Sequence, residues 1–528
     1  MDTIATRSAL NTPARSTPGS RTLAAGVALV LALAVAKLLL HLATTGRFGY
    51  DFFVDELYYL ALAEHLAWGF VDVPPLFPAL TALVRALLGD SLLAVRLVPA
   101  LAGAGLVLAT GLFARRLGGK TAAMGLAALG VLAAPVFLAM HSFHTMNALE
   151  PLFWLAAAWL LVRLLDGEDP RLWLAFGAVA GLGLLNKHSM AFFGVALVVG
   201  LAATPARRAF RERWIWLGGL VAFAIFLPNL IWVASHGFPH FQVLAQVAED
   251  GRNVSLSPWA FLAQQVLMVH PLALPLWLGG LVFLLWSGAG SRWRPLGLAF
   301  LVALALMFLL DGRVYYLAPA YPMLLAAGGV ALERGARQLA RGWALPAYAG
   351  VLAVGGVALA PLFVPLLPPE TLIRYSEATG LTQPRIENHR LGPLPQLHAD
   401  RFGWREMAAE VARVYRSLPP EEQAVAVVFG QNYGQAGAID LFGPELGLPK
   451  AISGHLAYHD WGPRSSRGEV VIVMDDDRET LERLFEQVEW AGRVEHPYSM
   501  PYQHFDLHVC RRLRMPIEEL WPQVRKWR

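Results

Sequence analysis

Charged residues and cysteines are both scarce in this chain of 528 residues. Only 16% of the residues are charged, against 56% that are hydrophobic, whereas soluble chains carry about a quarter charged residues. The single cysteine, Cys510, excludes an intramolecular disulfide. No internal repeat stands out, and no basic patch interleaved with aromatic residues indicates nucleic-acid binding. The composition therefore predicts an integral membrane protein in the lipid bilayer.

Long apolar runs fill residues 22–367. A helix needs about 20 apolar residues to cross a bilayer, and on that basis we predict about eleven spans. They cover residues 23–42, 91–114, 121–140, 148–165, 172–187, 190–203, 214–233, 262–286, 296–310, 317–333 and 344–366. The first run is too long for the apolar core of a signal peptide, so we predict an uncleaved helix. Lys37 within it is expected to face the bundle interior and pair with a polar group.

Basic residues collect in alternate loops between the apolar runs. The loops with this excess include Arg115, Arg116, Lys120, Arg163, Arg171, Arg207, Arg208, Arg211, Arg213, Arg292, Arg294, Arg334, Arg337 and Arg341. The positive-inside rule places them in the cytoplasm, together with the arginines of the N-terminal tail, residues 1–21. The first long loop, residues 43–90, and the region after residue 367 are then predicted to lie outside the cytoplasm.

From Pro368 onward the sequence has the composition of a soluble domain. Helical spacing predicts a helix over 403–418, and short β-branched runs predict buried strands over 424–429 and 470–474. We predict a second amphipathic helix over 479–490 and a last strand over 504–510. This order favours a small α/β domain over residues 368–528. The fold class is thus mainly α, polytopic in the membrane, with a small extracytoplasmic α/β domain.

Four carboxylates lie in the first outer loop: Asp51, Asp55, Glu56 and Asp72. Acids beside a membrane are costly unless they face water, a partner or a substrate. The neighbouring Tyr58 and Tyr59 are typical of aromatics at a membrane interface. An interfacial helix whose acids only keep it hydrated fits this spacing as well as an active-site loop does. Prolines after Asp72 restrict the backbone there.

Several short motifs follow in chain order and resemble those of one group of membrane enzymes. They are the acidic pair at 55–56, the acid before Pro-Pro-Leu at 72–76, RRLGG at 115–119, MNALEPLFW at 146–154, GLLNKH at 183–188, HGFP at 236–239, YYLAPAYP at 315–322 and NYGQAG at 432–437. Together they resemble the GT-C glycosyltransferases, in the bacterial branch related to protein O-mannosyltransferases and lipid A aminoarabinose transferase. This resemblance implies a multi-pass protein of the bacterial inner membrane.

The resemblance implies transfer of a sugar from a polyprenyl-phosphate donor to a lipid, glycan or protein acceptor, with inversion. Asp55 matches the first-loop aspartate that is the candidate general base, and Glu56 would orient the acceptor or assist. The leaving phosphate needs cations on the same face. We therefore predict donor-binding roles for Asp72, Lys187, His188, Arg313, Tyr315 and Tyr316. Anchoring at the membrane interface is a comparable interpretation of Lys187 and Arg313.

One departure from the pattern bears on the substrate. The aminoarabinose transferase branch has Glu-Lys-Pro-Pro where this chain has Asp72-Val73-Pro74-Pro75. Because Val73 cannot bind phosphate, modification of lipid A with aminoarabinose is disfavoured. Some relatives use a divalent metal ion, and Asp72 with His141 could contribute ligands to one.

Two other functions stay open at this point. A flippase or transporter of lipid-linked sugars would place its polar groups near the membrane midplane, often in repeated halves. The acids of this chain are instead concentrated in the first outer loop. A catalytically silent subunit with the same scaffold is the third possibility, and the presence of both Asp55 and Glu56 argues against it.

Overall fold

The computed structural model describes residues 18–251, 254–385 and 387–527, with side chains from residue 23 onward. Most of the predicted N-terminal tail, residues 1–17, lies outside these described residues. The first two thirds of the described chain are helical. The helices are α1 Pro18–Thr44, α2 Val54–Glu64, α3 Leu76–Leu88, α4 Leu92–Arg116, α5 Thr121–Ala133, α6 Pro135–Met140, α7 Glu150–Leu165, α8 Leu172–Asn186, α9 Met190–Ala202, α10 Arg213–Ser235, α11 Pro239–Glu249, α12 Pro258–Val269, α13 Leu274–Trp286, α14 Arg294–Leu309, α15 Tyr321–Gln338 and α16 Ala344–Leu359.

Seven of the described helical segments are long and apolar enough to cross a bilayer, and two bent pairs bring the number to nine if each pair is one span. All the predicted spans coincide with helices, so the mainly helical, polytopic fold is confirmed. Shorter apolar helices at 121–133 and 172–186 account for the other two predicted spans. The predicted number of about eleven crossings stays a prediction.

Prolines divide two of the predicted spans. Pro135 starts α6 immediately after α5 ends, because a proline lacks the N–H of the helical ladder and restricts the residue before it. Pro271 follows α12, and the axis bends there by 95° before α13. The apolar runs in the sequence predict one continuous helix at each of these two places. In the structure the chain changes direction at both.

Glycines allow the closest helix contacts of the bundle. A Cβ atom added at Gly280 of α13 would lie 2.0 Å from the carbonyl oxygen of Leu324 in α15. One added at Gly328 would lie 1.7 Å from the carbonyl oxygen of Leu276. Small residues at such positions let two backbones touch, which stabilises helix association in a bilayer.

The region after residue 367 forms a helical and β-sheet domain. Its helices are α17 Pro369–Thr379, α18 Gln396–Ala399, α19 Trp404–Ser417, α20 Pro420–Gln423, α21 Tyr433–Leu446, α22 Ala457–Asp460, α23 Arg478–Leu484 and α24 Ile517–Leu520. Its strands are β1 Ala426–Phe429, β2 Val470–Met474, β3 Phe485–Val494 and β4 Phe505–Leu513, in the order β1-β2-β4-β3. The pair β1-β2 is parallel and the other pairs are antiparallel.

The small α/β domain is confirmed, but the predicted helix over 479–490 is wrong in its second half. Helix α23 ends at Leu484, and β3 continues from Phe485 to Val494. The strand pairs with β4 along most of its length. Hydrogen bonding to a neighbouring strand thus overrides the helical spacing of this segment.

The C-terminal domain packs directly on the first outer loop. Leu57 and Tyr58 of α2 belong to the same buried cluster as Trp404, Ile439 and Val428 of the domain. Gly437 in α21 permits this contact, because a Cβ atom there would lie 2.9 Å from the carbonyl oxygen of Leu57. Side chains of the domain therefore reach the N-terminal end of α2.

Candidate active site

Helix α2 begins directly after two aromatic residues and presents Asp55 in its first turn. The Glu56 carboxylate accepts a hydrogen bond of 2.7 Å from the backbone N–H of Phe53, which satisfies one of the unpaired donors at the helix start. Acidic residues in a first helical turn are also favoured by the helix dipole. The local sequence therefore fixes the position of Asp55 at the helix end.

A tyrosine of the C-terminal domain contacts Asp55. The hydroxyl of Tyr433, the first residue of α21, donates to Oδ1 of Asp55 over 2.7 Å. The Tyr433 ring stacks on Tyr58 with 4.7 Å between centroids and on His455 with 5.0 Å. This stack holds the phenol in place between the loop and the domain. The sequence motif at 432–437 thus belongs to the same site as the acidic pair at 55–56.

Asp72 contacts the other tyrosine of this stack. The Tyr58 hydroxyl donates to Oδ1 of Asp72 over 2.9 Å. Burial, with a contribution from the negative charge of nearby Asp55, raises the pKa of Asp72 to about 7. Asp72 therefore changes charge near neutral pH. Asp55 and Asp72, two acids of the predicted site, lie within electrostatic range of each other.

A third aspartate joins the site from the C-terminal domain. Asp400 is fully buried and accepts a hydrogen bond from the Tyr502 hydroxyl. Burial raises the pKa of Asp400 to about 7, with smaller contributions from Glu387 and Asp55. Each of Asp55, Asp72 and Asp400 is thus held by a tyrosine hydroxyl. Sequence analysis missed Asp400 and Tyr502, because no motif connects them with the first loop.

Glu56 is not at the surface of the site. Its side chain has no solvent exposure and pairs with Arg96 of α4, with nitrogen-to-oxygen distances of 2.7 and 3.0 Å. It also accepts from the backbone N–H of His144 over 2.8 Å. Burial alone would raise the pKa of Glu56, but Arg96 and the N–H of Phe53 hold it below its usual range. Glu56 thus fastens three segments of the chain together.

Lys187 and the two predicted tyrosines are neighbours. The Lys187 ammonium donates to Asn147 Oδ1 and Glu150 Oε2, each over 2.8 Å. It lies 4.6 Å from the ring centroid of Tyr316 and 5.7 Å from that of Tyr315. A cation held by a carboxylate and two ring faces is well oriented but already partly compensated.

Arg313 stands beside the same two tyrosines. It pairs with Glu387 of the C-terminal domain over 3.0 Å. Burial would lower the pKa of Arg313, but Tyr315, Tyr316 and Glu387 raise it above its usual value. The guanidinium therefore stays charged throughout the accessible pH range.

Tyr59 is near both the aspartates of the site and the tyrosines beside Lys187 and Arg313. Its hydroxyl accepts from the N–H of Met146 over 3.4 Å, and its ring lies within electrostatic range of Asp55, Asp72 and Tyr315. Both Tyr58 and Tyr59 are buried in the protein, and their predicted placement at a membrane interface stays a prediction. Packing of the C-terminal domain over the loop removes them from the surface.

His188 and His141 make their described contacts elsewhere. His188 bonds to Asn229 over 2.9 Å, and its ring centroid lies 4.6 Å from that of His240. Nδ1 of His141 donates to the carbonyl of Phe137 over 2.6 Å. Within the described ranges, no three His, Cys, Asp or Glu side chains form a group that could hold a metal ion. The predicted divalent ion stays a prediction, and no step is assigned to one.

Comparisons with known proteins find a family model and solved structures that are similar to this chain. A family model described as dolichyl-phosphate-mannose-protein mannosyltransferase matches residues 72–232. The structure is similar to that of ArnT from Cupriavidus metallidurans bound to undecaprenyl phosphate, with a TM-score of 0.57 and 19% identity over 91% of this chain and 97% of that one. The chain has the GT-C fold. The predicted resemblance to protein O-mannosyltransferases is found over the residues that the family model matches, and the resemblance to ArnT is found in the fold.

A second solved structure is similar in fold. Arabinofuranosyltransferase AftD from Mycobacteria matches with a TM-score of 0.50 and 16% identity, over 94% of this chain and 40% of that one. None of the curated proteins matches the sequence. The family match and the GT-C fold together relate the chain to membrane glycosyltransferases.

The raised pKa of Asp72 gives a testable pH dependence. Its folded-state pKa of about 7 exceeds the value of about 4 in an unfolded chain, so the folded state binds more protons between these values. This contribution to stability is therefore present at low pH and is lost as the pH rises through about 7. We expect the unfolding temperature of the wild type to fall more steeply between about pH 5 and about pH 8 than that of Asp72→Asn. If the unfolding temperature fell equally with pH in the wild type and in Asp72→Asn, the raised pKa of Asp72 would be excluded. Asp169→Asn, which changes an exposed acid, is the control.

Proposed function

We propose that this protein is an inverting glycosyltransferase that moves a sugar from a polyprenyl-phosphate donor to an acceptor outside the cytoplasm. The observation that carries the proposal is the position of Asp55. Its carboxylate accepts from Tyr433, lies within electrostatic range of Asp72, and is linked through Tyr59 to the neighbourhood of Tyr315. A carboxylate base and two cations beside aromatic rings are the groups that such a transfer needs.

The chemistry follows from these groups. Asp55 removes the proton of an acceptor hydroxyl as its oxygen attacks the anomeric carbon of the donor. The bond from that carbon to the phosphate oxygen breaks, and the phosphate leaves with the electron pair. Lys187 and Arg313 stabilise the negative charge on the phosphate, Lys187 as a compact charge and Arg313 as a planar fork. A single displacement inverts the anomeric configuration.

Glu56 takes a different part in this scheme from the one predicted. A fully buried carboxylate with Arg96 and two backbone N–H groups has no oxygen left for an acceptor. We assign it a positioning role, in which it sets the start of α2 and therefore the place of Asp55.

The donor class draws on the relative whose structure was solved with undecaprenyl phosphate. We infer the same class of lipid carrier for this chain, in the bacterial inner membrane with residues 43–90 and 368–528 on the outer side. The acceptor is a lipid, a glycan or a protein hydroxyl. The family match to a mannosyltransferase model favours catalysis over transport or a silent scaffold as the alternative functions.

Labelled donor tests the proposal. Purified protein is mixed with radiolabelled polyprenyl-phosphate hexose and a membrane extract, and label in the acceptor fraction is compared for wild type and Asp55→Asn. We expect label to move with the wild type alone. Equal transfer by both proteins would remove Asp55 as the base. Label that crosses the bilayer on an intact donor would instead indicate a flippase.

Tyr433 offers a milder test of the same site. Tyr433→Phe removes the hydroxyl that donates to Asp55 over 2.7 Å but keeps the stacked ring. We expect kcat to fall about tenfold with little change in KM, because one hydrogen bond that orients the base is lost. Tyr415→Phe is the matched control, since the Tyr415 hydroxyl donates only within the domain, to the carbonyl of Gln423. An unchanged kcat in Tyr433→Phe would contradict the assignment.

A further inference from the structure

A short segment of the C-terminal domain, residues 454–457, contacts both tyrosines that hold the first-loop aspartates. The backbone N–H of Tyr433 donates to Nδ1 of His455 over 3.1 Å, and the two rings stack with 5.0 Å between centroids. The backbone N–H of Ala457 donates to the Tyr58 hydroxyl over 3.2 Å. These two tyrosines donate from their hydroxyls to the aspartates of the site. The segment therefore contributes to the position of both phenols.

The residue between these two contacts has a strained backbone. Leu456 has a φ of 48° and a ψ of −130°, a conformation that bulky residues rarely adopt. Its side chain is buried. A strained residue of this kind persists only where the surrounding structure fixes it, and such residues cluster at functional sites. The contacts that hold Leu456 are therefore of interest for the site.

Residues 521–527 supply the backbone contacts. The N–H of Leu456 donates to the carbonyl of Lys526 over 2.9 Å, and the N–H of Lys526 donates to the carbonyl of Gly454 over 2.8 Å. These two bonds form a parallel bridge between the segments. A Cβ atom added at Gly454 would lie 1.9 Å from the carbonyl oxygen of Val524. The two backbones thus touch, and glycine permits the contact.

Side chains anchor the same residues on the chain that follows Ala457. The rings of Trp521 and His459 stack with 5.4 Å between centroids, and the indole N–H donates to the carbonyl of His459 over 3.0 Å. Arg525 pairs with Asp460 over 3.0 Å. Backbone bonds, a ring stack and an ion pair together hold residues 521–527 against the segment that contacts the tyrosines.

We infer that residues 521–527 form a positioning clamp for the active site. The clamp holds the strained backbone at Leu456, so that the residues on either side keep the hydroxyls of Tyr433 and Tyr58 on the aspartates. This inference rests on the proposed transferase function. A loosened clamp should lower kcat and leave KM for the donor unchanged, because the cations proposed for the phosphate belong to other segments.

Gly454→Ala tests the clamp in the purified full-length protein. The added methyl group needs the space of the Val524 carbonyl, so it displaces the clamp. We expect kcat for transfer from polyprenyl-phosphate hexose to fall about tenfold, with donor KM within about twofold of the wild type. Gly335→Ala is the control, since a Cβ atom added there meets no atom within 4 Å. It should keep wild-type kcat.

A double-mutant cycle separates positioning from a general loss of stability. In Tyr433→Phe the hydroxyl is already absent, so adding Gly454→Ala should lower kcat by no more than about twofold. Trp521→Leu loosens the clamp from its own side and covers the case in which Gly454→Ala does not fold. It should show the same dependence on Tyr433. Gln523→Leu is its control, because exposed Gln523 bonds to the nearby carbonyl of Glu519.

Three results would overturn the clamp and leave the proposed function standing. One is wild-type kcat in both Gly454→Ala and Trp521→Leu. Another is an equal loss of kcat with and without the Tyr433 hydroxyl, because the clamp would then act through other residues. The third is a raised donor KM at unchanged kcat. A wild-type protein that transfers no sugar would overturn the proposed function and the clamp together.

Discussion

Replacing Asp55 by asparagine should lower kcat for sugar transfer by about 10²–10⁴-fold, the usual contribution of a general base. The asparagine side chain has the size of aspartate, and its carbonyl oxygen can still accept from the Tyr433 hydroxyl that lies 2.7 Å from Asp55. The change therefore removes basicity while it keeps the local contacts. KM for the donor should change little, because Lys187 and Arg313 are untouched.

Initial rates of label transfer, with donor binding measured separately, check this prediction. Asp90→Asn is the matched control, because Asp90 is an exposed acid of the same loop and pairs with Arg85 over 2.6 Å. It should keep wild-type kcat. A loss of less than about tenfold in Asp55→Asn would point to another base. Asp400 would then be the first residue to test, since it is an aspartate within electrostatic range of Asp55.

Breaking the buried pair between Glu56 and Arg96 should have the largest effect on stability. Arg96→Met leaves the Glu56 carboxylate without its counter-ion in an environment with no solvent exposure. Loss of one partner of a buried ion pair destabilises a protein by about 3–5 kcal/mol. The same change frees the start of α2, so transfer activity should fall together with stability.

Equilibrium unfolding in detergent measures this effect. Arg493→Met is the control, because it breaks an ion pair with Asp506 in which both side chains are more than 40% exposed. Exposed pairs contribute about 0–1 kcal/mol. A loss of less than about 1 kcal/mol in Arg96→Met would contradict the positioning role of Glu56. The double change Glu56→Gln with Arg96→Met should recover part of the loss, because it leaves no unpaired charge.

The helices of the membrane part could be predicted from sequence because long apolar runs dominate their formation in a bilayer. The breaks before Pro135 and at Pro271 depend on local backbone restriction inside such runs, which a search for apolar runs passes over. The segment after Leu484 shows a different limit of prediction from sequence. Its spacing suits a helix, and its strand structure depends on pairing with β4, which is distant in sequence.

The acids of the first loop could also be found from sequence, since their position between apolar runs is unusual. Their partners could not. Tyr433 meets Asp55 across 378 residues of chain, and Asp400 reaches the site only because the C-terminal domain folds over α2. Glu56 is an acid next to Asp55 in sequence, but it is fully buried and paired with Arg96, and this difference between the two acids could not be predicted from residue type.

The anomeric configuration of the first transferred sugar tests the central claim most directly. Purified wild-type protein is given a polyprenyl-phosphate hexose of known configuration and an acceptor from membrane extract, and the product of one turnover is analysed by NMR. Direct attack assisted by Asp55 predicts that the wild type gives a product of inverted configuration and one equivalent of free polyprenyl phosphate. Under the same conditions, Asp55→Asn should give neither the product nor the free polyprenyl phosphate. A product with retained configuration, or the same yield from Asp55→Asn, would contradict the account.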